Sequence, residues 1–319
     1  QRTGAVTQWP SDPRDPKSLS YNLYTGIPGI VLFYLEAHHA TGDAAFLHAA
    51  RSGANSLLAR IENENDPGLY TGLAGIAFAI IETYKATKDP AFRLGALRCL
   101  ELFRQRAHKA GSGIEWSDKT DIIFGSAGTG LFLLYAARVL NDKSAKDLAV
   151  QAGLRLIELG RPENGGLKWA MDPTFARLMP NFSHGTAGVA YFLATLYQQT
   201  RQKKFLDAAL AGARYLLSIA VTDGGICLIF QNEPFAKDIH YLGWCHGPAG
   251  TARLFYRLFQ VTGDRKWMEL VKQGARGILS SGIPEIQTPG FWNNVGQCCG
   301  SAGVVEFFLT LHRLTRDPE

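Results

Sequence analysis

The sequence predicts an all-α fold: helical hairpins repeated around a double-layered ring, buried inner helices within a layer of half-exposed outer ones. Three observations carry this. The motif Gly-x-x-Gly recurs at Gly26-Gly29, Gly72-Gly75, Gly125-Gly128, Gly185-Gly188, Gly247-Gly250 and Gly300-Gly303, at intervals of 46, 53, 60, 62 and 53 residues, the fixed-period self-similarity of a repeat architecture. An apolar stretch of helical length follows each copy. A polar connector and an amphipathic stretch come next, so each interval has room for two helices and two loops.

The first helix of each unit opens at its glycines. Ile30 to Leu35 is apolar nearly all round, as are Ile76 to Ile81, Leu131 to Ala137 and Val189 to Leu196. A helix without a polar face belongs inside a packed structure. Ala precedes the second glycine in five copies and Pro28 does so in the first; small residues in the first turn let backbones approach, and glycine tolerates the turn before it. The connectors Thr41-Gly42-Asp43, Thr87-Lys88-Asp89 and Thr262-Gly263-Asp264 each place Asp as the N-cap of the second helix. That helix is amphipathic: Phe46, Ala50, Ala54, Leu57 and Ile61 share one face, with Arg51, Asn55 and Arg60 between them. A ring is favoured over an open solenoid because fully apolar inner helices must pack against one another. Strand signals are confined to Gly166–Trp169 and Ile226–Phe230. Residues 1–319 read as one domain. The run Thr315-Arg316-Asp317-Pro318-Glu319 repeats the connector, which predicts at least one further outer helix, and a further hairpin, beyond it; a ring closed by eleven helices is the alternative.

Composition narrows the function. The chain has 319 residues, enough for a large core, and its net charge of +5, from 33 basic and 28 acidic residues, is scattered without a Lys/Arg run. This gives no footprint for nucleic acid or a membrane surface. No apolar run reaches the roughly 18 residues of a membrane span. Gln1 to Pro16 is polar and proline-rich, unlike a signal peptide, and Gln1 predicts that the natural start lies upstream. Five cysteines, two of them adjacent, make a poor disulfide framework and point to a reducing, cytoplasmic setting.

Candidate chemistry gathers at the glycine anchors. Cys245 lies in Gly243-Trp244-Cys245-His246-Gly247, and Cys298 and Cys299 in Gln297-Cys298-Cys299-Gly300. In a ring, loops from successive repeats converge on one mouth, where three thiols suit a zinc ion with its fourth position open. The helix dipole at each anchor favours the thiolate. Three buried cysteines acting as small hydrophobes, or a vicinal disulfide, stay open as alternatives. Cys99 and Cys227 lack this setting and read as core. His184, in Ser183-His184-Gly185, stands at the same mouth as a candidate general acid or base; Asp121 precedes the third anchor and His246 follows Cys245 as a candidate proton carrier. Trp244 reads as a pocket wall. His38, His39, His48, His108, His240 and His312 share no pattern.

Taken together, Asp121…Gly125, Ser183-His184-Gly185, Gly243-Trp244-Cys245-His246-Gly247 and Cys298-Cys299-Gly300 resemble the LanC-like lanthionine cyclase family over nearly the whole chain. The resemblance implies an α/α toroid of seven hairpins, of which six are visible here. It implies zinc on Cys245, Cys298 and Cys299, with His184 and Asp121 as the acid/base pair. The third ligand is often His in that family; Cys299 is similar to the all-cysteine sites of some fused synthetases. Tyr241 stands where some peptide cyclases carry Arg, and His246 where Tyr is frequent. The implied reaction is addition of a thiolate to dehydroalanine or dehydrobutyrine, in a dehydrated peptide or with a small thiol such as glutathione. The chain has no segment able to dehydrate Ser or Thr, so a dehydratase partner is implied. A non-catalytic zinc- or glutathione-binding module is the second function class. An α/α-barrel carbohydrate enzyme is the third, and it lacks the paired carboxylates such chemistry needs.

Overall fold

The computed structural model describes residues 2–3, 6–172, 178–287 and 294–316. The chain falls into two compact units. In the first, Gln1–Ser117 and Ile123–Arg155, helix α1 (Ile27–Thr41) pairs with α2 (Ala44–Leu58) and α3 (Leu73–Thr87) with α4 (Pro90–Arg106); α5 (Ser126–Leu140) and the larger part of α6 (Lys143–Leu159) follow. In the second, Asp118–Ile122 and Leu156–Glu319, α7 (Thr186–Thr200) pairs with α8 (Lys203–Ser218) and α9 (Pro248–Thr262) with α10 (Arg265–Leu279), and α11 (Ser301–Thr315) comes last. These are the six inner and five outer helices that the periodicity predicts.

The connectors turn one helix into the next by a repeated set of bonds. The hydroxyls of Thr41, Thr87 and Thr262 each donate to the carbonyl four residues back at 2.7 Å. The next residue takes the left-handed conformation that ends a helix: Gly42 at φ 74°, Lys88 at 59°, Gly263 at 73°. Asp43, Asp89 and Asp264 then cap the following helix, accepting from the amides of Ala45, Ala91 and Lys266 at 2.8–3.0 Å. The final connector keeps the pattern as far as Arg316, at φ 59°; residues 317–319 lie outside the described residues.

Inner helices α3, α5 and α7 are sealed, with Ile76, Ile80, Leu133 and Phe192 fully buried. Helices α1 and α11 are not, although their sequences are as apolar. Phe33 is 64% exposed, and Val305 and Leu309 are more than half exposed. In the first unit α1 packs on α2 and α3, and in the second α11 packs on α9, which leaves one side of each without a neighbour inside its own unit. The expectation that every inner helix is enclosed therefore fails for these two.

Short antiparallel hairpins link some repeats. His108–Ala110 pairs with Gly113–Glu115, and Arg161–Glu163 with Gly166–Lys168, the second meeting the strand expectation. Each delivers a tryptophan whose indole N–H donates to the carbonyl 13 residues earlier: Trp116 to Phe103 at 2.8 Å and Trp169 to Leu156 at 2.6 Å. Two further hairpins lie near the N-terminus, within Arg2–Thr7 and Pro10–Leu19. The strand expected at Ile226–Phe230 shrinks to a single bridge between Val221 and Leu228, since among the described residues no neighbouring strand pairs with the rest of it.

The anchor glycines have a reason that the sequence reading only half supplied. The first glycine of each pair, as helix N-cap, sits at negative φ, for example −146° at Gly185 and −132° at Gly247, so left-handed freedom is not what it provides. At first and second anchor glycines alike, the carbonyl six residues earlier presses on the Cα. A Cβ would come within 1.4 Å of the Met179 oxygen at Gly185, 1.8 Å of the Trp244 oxygen at Gly250 and 2.0 Å of the Asp66 oxygen at Gly72. The same six-residue return recurs at Gly26, Gly188, Gly247, Gly300 and Gly303.

Candidate metal centre

The loops before α7, α9 and α11 are stitched side by side through their main chains. The Ile122 amide donates to the Ser183 carbonyl at 3.1 Å, Ser183 to Cys245 at 2.9 Å and Cys245 to Cys298 at 3.1 Å. Residues at equal distance from their anchor glycine therefore stand next to one another. One position before the glycine are His184, His246 and Cys299; two before are Ser183, Cys245 and Cys298. The fold gathers thiols and imidazoles because the loops share one register.

This brings the three cysteines together. Cys245 Sγ lies 3.3 Å from Cys299 Sγ, and Cys299 Sγ lies 3.5 Å from Cys298 Sγ. All three fall within 4.8 Å of one another. Two sulfurs on one tetrahedral zinc, each about 2.3 Å from the metal, are about 3.8 Å apart, so the spacing fits. All five cysteines are free thiols, and the 3.5 Å between Cys298 and Cys299 is far from the roughly 2.05 Å of a disulfide.

Without a cation, burial and the neighbouring thiols oppose ionisation of Cys245 and Cys299. Hydrogen bonding with Cys298 and Cys299, then burial, pushes Cys245 far above the ordinary thiol range. Cys299 is drawn down by its bond with Cys245, but Cys298 and burial outweigh this and take it up to about 11. Ionising three crowded thiols is costly unless a positive charge joins them, and a soft, three-sulfur donor set suits zinc. Cys99 and Cys227, by contrast, are solitary and buried, and burial raises them to about 12 and about 11, as core residues.

Beside the sulfurs, His184 Nδ1 lies 2.6 Å from Asp121 Oδ2. The carboxylate is completely buried. It is reached through Thr120, whose amide donates to the Met171 carbonyl at 2.8 Å and whose hydroxyl donates to that of Ala170 at 2.6 Å. The His246 ring centroid is 5.6 Å from that of His184 and 5.9 Å from that of Tyr241. Burial, then repulsion from His184, lowers His246 to about 4, so it is neutral at pH 7, and among the described residues its Nδ1 has no hydrogen-bond partner. Trp244 packs edge-on against Phe182 at 5.4 Å. Asn181, which sequence reasoning passed over, braces the His184 loop: its amide donates to the Phe230 carbonyl at 2.9 Å and its oxygen accepts from the Thr251 hydroxyl at 2.9 Å. The signal was present, because Asn181 and Asp121 each stand four residues before an anchor glycine.

The chain is 22% identical, over 97% of its length and 73% of the relative's, to a Danio rerio protein named glutathione S-transferase LANCL1. Nisin cyclase shares its fold with a TM-score of 0.69 at 18% identity, over 93% of this chain and 77% of that one. The unsaturated glucuronyl hydrolase of Bacillus sp. GL1 follows at 0.61 and 15%, over 98% and 92%. These likenesses place the fold in the α/α-toroid class. Residues 17–319 match the lanthionine synthetase C-like protein family, and the chain belongs to that family.

Proposed function

We propose that this protein adds a thiol to a dehydroamino acid, dehydroalanine or dehydrobutyrine, forming a thioether, with zinc held by Cys245, Cys298 and Cys299. The observation that carries the reading is the meeting of three sulfurs from two separate loops within 4.8 Å, in the same stitched set of loops as the Asp121–His184 pair. Zinc, when bound, supplies the positive charge that keeps a thiol ionised at neutral pH.

The chain's own residues handle the proton. Asp121 accepts the Nδ1–H of His184, which fixes the tautomer whose lone pair is on Nε2. Nε2 takes the proton of the incoming thiol. As sulfur bonds to the β-carbon, the π pair of the alkene moves onto the α-carbon and its carbonyl as an enolate. The imidazolium returns its proton to the α-carbon, so the step is redox-neutral and the histidine ends as it began. Neutral His246 lines this path as an acceptor. Trp244 and Phe182 provide apolar walls.

The similarity to a protein named as a glutathione S-transferase supports glutathione as a thiol donor, and the likeness to nisin cyclase supports a peptide substrate in which a cysteine adds within the chain. No described helix is long and apolar enough to cross a membrane, and five cysteines that form no disulfide fit a reducing, cytoplasmic compartment. A dehydratase working upstream would provide the alkene. The test incubates zinc-loaded protein with a dehydroalanine peptide, with and without glutathione, and reads thioether by mass. Product above the uncatalysed rate supports the enzyme. Zinc at one per chain with no product above background leaves a zinc- or glutathione-binding module and ends the catalytic reading.

A further inference from the structure

A cavity of about 230 Å³ lies among α7, α9, α10 and α11 in the second unit. None of the three cysteines lines it, nor do Asp121, His184 or His246. One side is apolar, formed by Val271, Phe307, Leu311 and Leu314. The other carries two guanidinium groups, Arg253 and Arg257. Four residues apart on α9, they stand on one face, side by side.

Their charges are not equally matched. Arg253 donates to both oxygens of Glu306 at 2.7–2.8 Å, which also accepts from the Gln297 amide at 2.6 Å. Arg257 meets neutral oxygens, those of Gln198 and the Tyr191 hydroxyl, the latter at 3.0 Å; among the described residues no carboxylate pairs with it. Two cations and one anion leave the wall with one net positive charge. The Nε of each arginine is buried behind this wall, with no acceptor among the described residues.

We propose that the cavity binds a small organic monocarboxylate with an apolar body, the carboxylate held by Arg257 beside Arg253 and the body lying against Phe307, Leu311 and Leu314. A planar guanidinium matches a carboxylate with two parallel hydrogen bonds, and the apolar side gains by covering hydrocarbon. The volume is below the roughly 300–1,000 Å³ of drug-sized pockets, so the ligand is a small molecule and not a peptide. The site is independent of the thioether reading.

Octanoate is the probe, titrated calorimetrically into the full chain, with octanol as its uncharged counterpart. Saturable binding of one octanoate per chain is expected, with octanol weaker by about tenfold or more, the weight of a charged hydrogen-bonding partner. Arg257→Gln is expected to weaken octanoate by a similar factor, and Leu311→Trp, which fills the cavity, to abolish binding. Zinc content should be unchanged in both variants. The proposal is overturned if octanoate shows no saturation up to about 10 mM, if octanol binds as well, or if both folded variants bind as the unaltered chain does. The octanol comparison decides the matter if either variant fails to fold.

Discussion

His184 and Asp121 are joined by a 2.6 Å hydrogen bond across 63 residues of sequence, and the carboxylate end of that bond is sealed from water. Asp121→Asn keeps the shape but puts an amide where the carboxylate accepted, so the imidazole is held in the wrong tautomer. Zinc content should stay at that of the unaltered protein while turnover falls by about 10²–10⁴-fold. His184→Ala should do the same, and the double variant should lose little more than either single one. Undiminished turnover in His184→Ala would remove its role.

Cys245→Ala and Cys298→Ala each delete a sulfur from a three-sulfur set. Metal analysis of the purified variants should give zinc well below one per chain, whereas Cys99→Ala and Cys227→Ala, both in the core, should retain it. Full zinc in the first two would refute the ligand assignment.

Gly250→Ala places a methyl group 1.8 Å from the Trp244 carbonyl, a clash that only movement of the loop bearing Cys245 relieves. A loss of about 2–4 kcal/mol in denaturant unfolding is expected, together with weaker zinc retention. Stability equal to that of the unaltered chain would show that the close approach is dispensable.

Lys88 is an exposed non-glycine residue in the left-handed conformation, at φ 59°, in the place that Gly42 and Gly263 fill in other connectors. Lys88→Gly removes the Cβ penalty there and should stabilise the protein by about 0.5–1 kcal/mol, read as a raised denaturation midpoint.

Asp142 tests the electrostatics of the outer layer. Burial alone would raise its pKa, but the Ser144 hydroxyl, the Ala145 amide and the Arg104 guanidinium outweigh that and hold it below 3.8. A lowered folded-state value means that its stabilisation is present above the unfolded value and disappears as pH falls through the folded one. Asp142→Asn should cost about 1 kcal/mol at pH 7 and progressively less below pH 4. An equal cost at both ends of that range would show that charge contributes nothing there.

Much of this was legible beforehand because it rests on local chemistry. Asp43, Asp89 and Asp264 announce helix starts by residue type, and the apolar runs after each anchor announce inner helices by the lack of a polar face. The meeting of Cys245 with Cys298 and Cys299 followed from counting back from each glycine, since the loops share one register. What the sequence hid depends on partners far along the chain. The exposure of Phe33 and Val305 is set by which helices stand beside α1 and α11. The upward shift of the thiols comes from their crowding, which no single loop reveals. Arg253 and Arg257 look like ordinary surface residues of α9 until Glu306 is seen to answer only one of them.

The return of a carbonyl onto the glycine six residues later has an evolutionary corollary. Those six residues work as a ruler, whose identity can drift while their number cannot. One inserted residue would carry the oxygen past its niche and rotate a sulfur or imidazole away from its neighbours. Relatives aligned to this chain should therefore show no gaps within 179–185, 244–250 or 297–303. Length variation should collect upstream of them, where the polymer is free to grow without disturbing the register of its thiols.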